Sequence, residues 1–205
     1  RHLNPNASRP RGLFAAYALI ARSQEFRAYT VVASASYASL FSFISGSSLV
    51  LIRVLGLTPP ECGLAFGVST LGFLIGTLLT RRLQPRIGIK RTVRVGGLIA
   101  AGAGASLAAL ALAGVQSVAA IIGPMLVLLI SHGIVQPCCQ VGSVSNFPRN
   151  AGAAAALLGF VMHMIAALVG WWVGASFDGT AVPMALTIGA TSSVTALSSR
   201  FLLRP

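Results

Sequence analysis

The chain has 205 residues, 55% of them hydrophobic and only 9% charged, with a net charge of +12. So apolar a composition excludes an ordinary soluble domain. The positive charge is gathered in short stretches between apolar runs rather than on one polar face, which argues against a nucleic-acid-binding surface.

Residues 1–27 hold Arg1, Arg9, Arg11, Arg22 and Arg27 with Pro5 and Pro10, and read as a cytoplasmic linker. A short interfacial helix is expected from Leu13 to Ala21. No apolar core followed by a small-residue cleavage site marks a signal peptide there. With Arg1 rather than Met at its start, the chain reads as a piece of a longer protein. The first span is expected over residues 28–52, rich in Ser, Ala, Tyr and Phe, as suits a helix facing protein or water more than lipid. Pro59-Pro60 follows in a turn, where Thr58 and Glu61 have capping-box spacing. The second span, 62–80, carries Gly63-x-x-x-Gly67 and Gly72-x-x-x-Gly76 on nearly opposite faces, so close neighbours are expected on both sides.

Next comes a basic knot, with six of the fifteen Lys and Arg residues between Arg81 and Arg94 and no carboxylate among them. It reads as a hairpin loop joining two spans. The third span, 93–114, is Ala- and Gly-rich, and the fourth, 118–140, contains Pro124 and Pro137. A polar loop with Arg149 leads to the fifth span, 151–177, which ends near Trp171-Trp172 and Gly170-x-x-x-Gly174. After a turn at Asp178 the sixth span covers 184–203. Cys62, Cys138 and Cys139 lie in or beside apolar runs with no C-x-x-C spacing, which points to buried thiols rather than a zinc site or a disulfide framework.

Six spans place both ends on one side. That side then holds fourteen of the fifteen basic residues, and the other side only Arg53. The bias sets both ends and the knot in the cytoplasm, with the protein multi-pass in the cell's inner (plasma) membrane. The fold expected is all-α and integral to the lipid bilayer.

Two stripes could carry binding. Tyr37, Phe41 and Ser45 recur every four residues on the first span, and aromatics beside a hydroxyl suit a cavity for flat amphipathic molecules or, equally, plain helix packing. His132, Gln136 and Gln140 are also four apart, with Pro137 freeing the Gly133 carbonyl. Polar groups deep in a span face a bundle interior, a partner or water. His132 reads either as a proton-sensitive ligand or as a satisfied interhelical partner. His163 faces the same choice, with Met162 and Met164 beside it as an adaptable apolar wall. Trp171-Trp172 reads as an interfacial anchor.

Four local patterns, in order, resemble the C-terminal half of a major facilitator superfamily transporter of the Bcr/CflA drug-resistance type. They are the stretch from Phe41-Ser-Phe-Ile-Ser-Gly46 through Thr58-Pro-Pro-Glu-Cys-Gly63 to Gly67; the knot, Gly76 to Gly97; Gly133-Ile-Val-Gln-Pro137; and Ala151 to Phe160 with Asp178-Gly-Thr-Ala-Val-Pro-Met184. The knot is similar to a degenerate copy of the superfamily's G-x-L-a-D-r-x-G-r-k loop, through Gly76, Arg81, Arg82, Arg86, Gly88, Lys90 and Arg91. Departures are Ser48 where proline is usual, Arg53 on the outer side, a knot without its aspartate, and His163 where glutamine is more frequent.

The resemblance implies twelve helices in two six-helix halves that rock about a central cavity. It implies export of drugs or amphipathic metabolites driven by the proton gradient, with no other cofactor and no metal. The proton-carrying acid is expected in the N-terminal half, the implied partner. Two other readings stand beside it. One is a six-span protein that dimerises as a carrier. The other is an intramembrane serine hydrolase using Ser45 or Ser47 with His132 or His163, for which no G-x-S-x-G elbow is found. The reading preferred is a carrier and not an enzyme.

Overall fold

The computed structural model describes residues 10–203, with side chains from residue 16 onward. Arg1, Arg9 and Arg204 of the basic set lie outside the described residues, as does the Arg11 side chain. Among the described residues every regular element is helical. α1 (Pro10–Arg22) is followed by α2 (Gln24–Ser48), which runs into a π-helical turn at Leu49–Val54. α3 (Pro59–Ile87), α4 (Ile89–Leu112), α5 (Val118–Val144), α6 (Ala151–Ala175) and α7 (Val182–Phe201) complete the chain. The interfacial helix expected near the start is thus longer than the stretch from Leu13 to Ala21. It opens on Pro10, whose missing amide costs nothing in a first turn.

Five helical segments are long and apolar enough to cross a membrane: Gln24–Val54, Pro59–Ile87, Ile89–Leu112, Val118–Val144 and Pro148–Ala175. α7 is not among them, although it has 20 residues. Its hydroxyls lower its apolarity. Thr187, Thr191, Ser192 and Thr195 donate to carbonyls one turn back, so they are satisfied within the helix.

The largest departure from expectation is at the basic knot. It is not a loop. α3 stays helical through Arg81, Arg82 and Arg86, with Pro85 inside it, and α4 starts two residues after Ile87. The reversal is made at Gly88, whose φ of 79° is accessible to glycine and strained for other residues. The Gly88 amide donates to the Gln84 carbonyl at 2.9 Å, and the Thr92 amide donates to the Gly88 carbonyl at 3.1 Å, so neither helix end is left open. Elsewhere the capping signals hold. The Glu61 carboxylate accepts from the Thr58 amide and hydroxyl, both at 2.8 Å.

Two apolar clusters show how the helices alternate. At the basic end Ile20, Phe26, Val93, Val135, Cys139, Leu158 and Leu203 pack together. At the opposite end the cluster contains Phe43, Leu51, Leu107, Met125, Val173, Met184 and Ile188. All three cysteines are free and buried. α3, α5, α2 and α6 line up as one layer, and α4 and α7 back it.

The tightest joint is α3 on α5. A Cβ at Gly76 would meet the Ile130 carbonyl, one at Gly72 the Leu126 carbonyl, and one at Gly133 the Phe73 carbonyl. The second face expected for α3 is not used in this way. A Cβ at Gly63 or Gly67 meets nothing within 4 Å, and the same holds for Gly174 on α6. Gly170, by contrast, lies against Ser45.

Polar ties at the basic end join elements far apart in sequence. Lys90 pairs with Glu25 at 3.3 Å, and Asn146 donates to the same carboxylate. Both ionic partners are more than a third exposed, so the pair contributes about 0–1 kcal/mol. Arg94 donates to the Leu203 carbonyl at 2.6 Å, placing a cation at the α7 C-terminus.

The α6–α7 connection is an Asx turn. The Asp178 carboxylate accepts from the Thr180 amide at 2.9 Å and hydroxyl at 2.7 Å, with Gly179 at φ 87° between them. These bonds hold the Asp178 carboxyl below its ordinary range. A depressed carboxylate pKa contributes stability above the unfolded value, and that contribution is lost as pH falls through the folded value. Asp178→Asn should therefore flatten the fall in stability below about pH 4. Unfolding in micelles at several pH values reads this out, and an unchanged slope would refute it.

Candidate functional site

A cavity of about 500 Å³ opens near mid-span on the layer of four helices. α2 contributes Tyr37, Leu40 and Ile44, and α3 contributes Phe66, Thr70 and Phe73. α5 adds Leu129, His132, Gln136 and Gln140, and α6 adds Met162 and His163. On α2, α3 and α5 the lining residues follow a spacing of three or four, so one face of each helix supplies them, while α6 offers the adjacent pair Met162 and His163. The glycine joint fixes the wall between α3 and α5. Because Gly133 lies against the Phe73 carbonyl, the Phe73 and His132 rings meet with centroids 5.8 Å apart.

From that contact a chain of rings crosses the cavity. His132 reaches Tyr37 at 5.9 Å, and Tyr37 reaches His163 at 5.0 Å, so four helices are joined by Phe73, His132, Tyr37 and His163. Hydrogen bonds orient both imidazoles. His132 Nδ1 lies 2.9 Å from the Ser36 hydroxyl. His163 Nδ1 lies 2.7 Å from the Gly159 carbonyl, which only accepts, so Nδ1 carries a proton. In the neutral ring Nε2 then accepts from the Tyr37 hydroxyl at 3.3 Å. His132 is buried and His163 exposed, so the two differ in access to solvent and ligand.

The cavity brings together Tyr37, His132, Gln136, Gln140, Met162 and His163 from the sequence reading. Phe41 stands behind Tyr37, its ring centroid 4.9 Å away, and does not line the space. Ser45 is turned toward Gly170 and lies outside the cavity. Phe66, Thr70, Phe73 and Ser36 were not singled out by sequence. Phe66, Thr70 and Phe73 repeat at i, i+4 and i+7, a detectable stripe that the glycine pairs of the same helix obscure.

Among the described residues, no Lys or Arg lines this cavity. Arg81 and Arg82, with Ile75, Leu78 and Leu79, border a groove of about 550 Å³. At about 100° per residue, most of its α3 residues point away from the face that carries Phe66, Thr70 and Phe73. The serine–histidine pairing considered for a hydrolase is not formed. The Ser47 hydroxyl donates to the Ile44 carbonyl at 3.3 Å, and Ser45 packs on α6. His132 pairs instead with Ser36.

The sequence profile of the Major Facilitator Superfamily matches residues 1–171. Over 192 residues the chain is 25% identical to a bicyclomycin resistance protein homolog of Haemophilus influenzae, covering 91% of this chain and 46% of that protein. Over 184 residues it is 25% identical to the uncharacterized MFS-type transporter YdgK of Bacillus subtilis, covering 86% of this chain and 44% of that protein. The chain spans a little under half the length of the curated relatives it matches.

Proposed function

Because the chain belongs to the major facilitator superfamily and its similarity is to transporters rather than enzymes, we propose that it is the C-terminal six-helix half of a secondary active exporter. In this reading α2 to α7 all cross the membrane, and a second six-helix half closes the cavity from the open side. The observation that carries it is the one-sided cavity. Its ring chain is built by four helices in one layer, while α4 and α7 support the layer from behind. Rings, a thioether and amides without formal charge suit flat amphipathic molecules, a chemistry in keeping with drug efflux.

Rocking of the two halves exposes such a cavity to either side in turn. The basic end faces the cytoplasm of the inner membrane, since basic residues are retained there. Proton exchange supplies the driving force, with the coupling acid on the partner half. A homodimer of this half offers a second route to a twelve-helix carrier.

Efflux of a fluorescent amphiphile tests the reading. Cells making only these 205 residues should insert the chain but show no efflux above background. Co-expression with a matching N-terminal half should restore efflux that collapses when the proton gradient is dissipated. Export by the 205 residues alone would overturn the two-half reading in favour of the homodimer.

A further inference from the structure

We infer that Gln136 selects the ligand in this half of the cavity, and that the ligand end it takes is flat, uncharged and bears an N–H or O–H donor. The inference rests on the cavity being the binding site. Among the described residues, no Asp, Glu, Lys or Arg lines the space. A charged group entering it would lose water without gaining a counter-charge from this half. The Tyr37, Phe66 and Phe73 rings favour flat partners by stacking and edge contacts.

Most polar groups on the wall are already engaged. The Thr70 hydroxyl donates to the Phe66 carbonyl at 2.9 Å. Tyr37, His163 and Gly159 form one hydrogen-bonded set, and His132 meets Ser36. Gln136 is the exception. Its side-chain NH₂ donates to the Met162 sulfur at 2.6 Å, although a thioether is a weak acceptor. Its Oε1 is buried with no hydrogen-bond partner among the described residues. The residue is only 6% exposed, so bulk water does not meet that need.

Buried amide oxygens without a donor are rare, and a ligand donor is the missing partner here. The terminal torsion of glutamine is broad and roughly two-fold, so the amide turns toward the cavity without leaving its place in α5. A site completed by a ligand donor discriminates against analogues that lack one. Gln140, exposed at the same wall, keeps its access to water and imposes no such demand.

The test uses N-phenyl-1-naphthylamine, which has one N–H, and its N-methyl derivative, which has none. In lipid nanodiscs, with empty nanodiscs subtracted, the 205-residue chain should bind the N–H probe roughly five- to tenfold more tightly. Gln136→Leu should erase that preference, so that the two probes bind this variant with equal affinity. Gln136→Met, unbranched and similar in volume, repeats the comparison if the leucine variant does not fold. Gln136→Glu should create binding of ethidium, a flat cation, by giving it a counter-charge.

Equal binding of the two naphthylamines by the wild-type chain, or a preference that survives Gln136→Leu, overturns the inference. Failure of ethidium to bind better to the Glu variant, in a chain that still takes the N-methyl probe, counts against it equally. The cavity reading survives these results if Tyr37→Ala weakens both naphthylamines. If neither naphthylamine binds above empty nanodiscs, both readings fall.

Discussion

Replacing Gly76 with alanine should disrupt the bundle more than any other single methyl added to α3. The new Cβ would fall on the Ile130 carbonyl of α5, which is backbone and cannot turn aside as a flexible side chain would. Helices in a membrane gain little from hydrophobicity when they associate, because lipid is as apolar as leucine. Close backbone approach is therefore what holds α3 to α5, and forcing the pair apart loosens every contact along the joint. Overpacking costs about 1–3 kcal/mol and occasionally more, and a backbone-on-backbone collision belongs at the upper end.

Gly133→Ala should act alike, since its Cβ would meet the Phe73 carbonyl from the other side. Gly63→Ala and Gly67→Ala are the controls. Nothing lies within 4 Å of either added carbon, and alanine in a helix is favoured over glycine by about 0.5–1 kcal/mol. Unfolding in mixed micelles should therefore separate the pairs in opposite directions. Gly76→Ala unfolding at wild-type denaturant would refute the account of the joint.

Tyr37→Ala should weaken binding of N-phenyl-1-naphthylamine by about tenfold or more. Tyr37 sits in the middle of the ring chain, with Phe41, His132 and His163 all within 4.9–5.9 Å between centroids. Truncation removes those contacts and leaves His163 without its hydroxyl partner. Tyr37→Phe keeps the ring and loses only the hydroxyl, so its loss should be no more than about fivefold. A fluorescence titration of both variants checks the order. Equal affinity for wild type and Tyr37→Ala would place the binding surface elsewhere.

Much of the architecture is legible in the sequence because a membrane helix announces itself by length and apolarity. The span positions follow from that, with α3 and α5 running past the apolar limits into polar sequence. The turn at Gly88 was hidden for a physical reason. A cluster of cations with Pro85 in it suggests a loop, yet the end of a helix tolerates both. Proline this near the terminus removes one amide where capping and water are at hand. α7 is harder to read, since back-bonded hydroxyls make a bundle helix look less apolar than it is buried.

The site was half legible. His132, Gln136 and Gln140 stand out because polar groups within a span are unusual. Ser45 was misplaced by a small angular error that accumulates. Two steps of four residues turn the helix by about 80° beyond two full turns, so Ser45 leaves the Tyr37 face and meets α6. Seven residues turn it by about 20° short, which keeps Ile44 in line. Phe66 and Phe73 were missed because lipid-facing and cavity-facing rings are equally apolar, and composition does not separate them. Ser36 was missed because its value lies in a partner 96 positions away.

The turn at Gly88 also governs how the helices of this bundle can shift. One residue separates α3 from α4, and successive Cα atoms are about 3.8 Å apart, so there is almost no slack between the two helices. When α3 tilts and reshapes the cavity wall it hauls the start of α4 with it. Arg94 hands the same displacement to the end of α7. The cavity wall and the helices farthest from it are thereby geared together, linked by one residue at Gly88 and one hydrogen bond from Arg94.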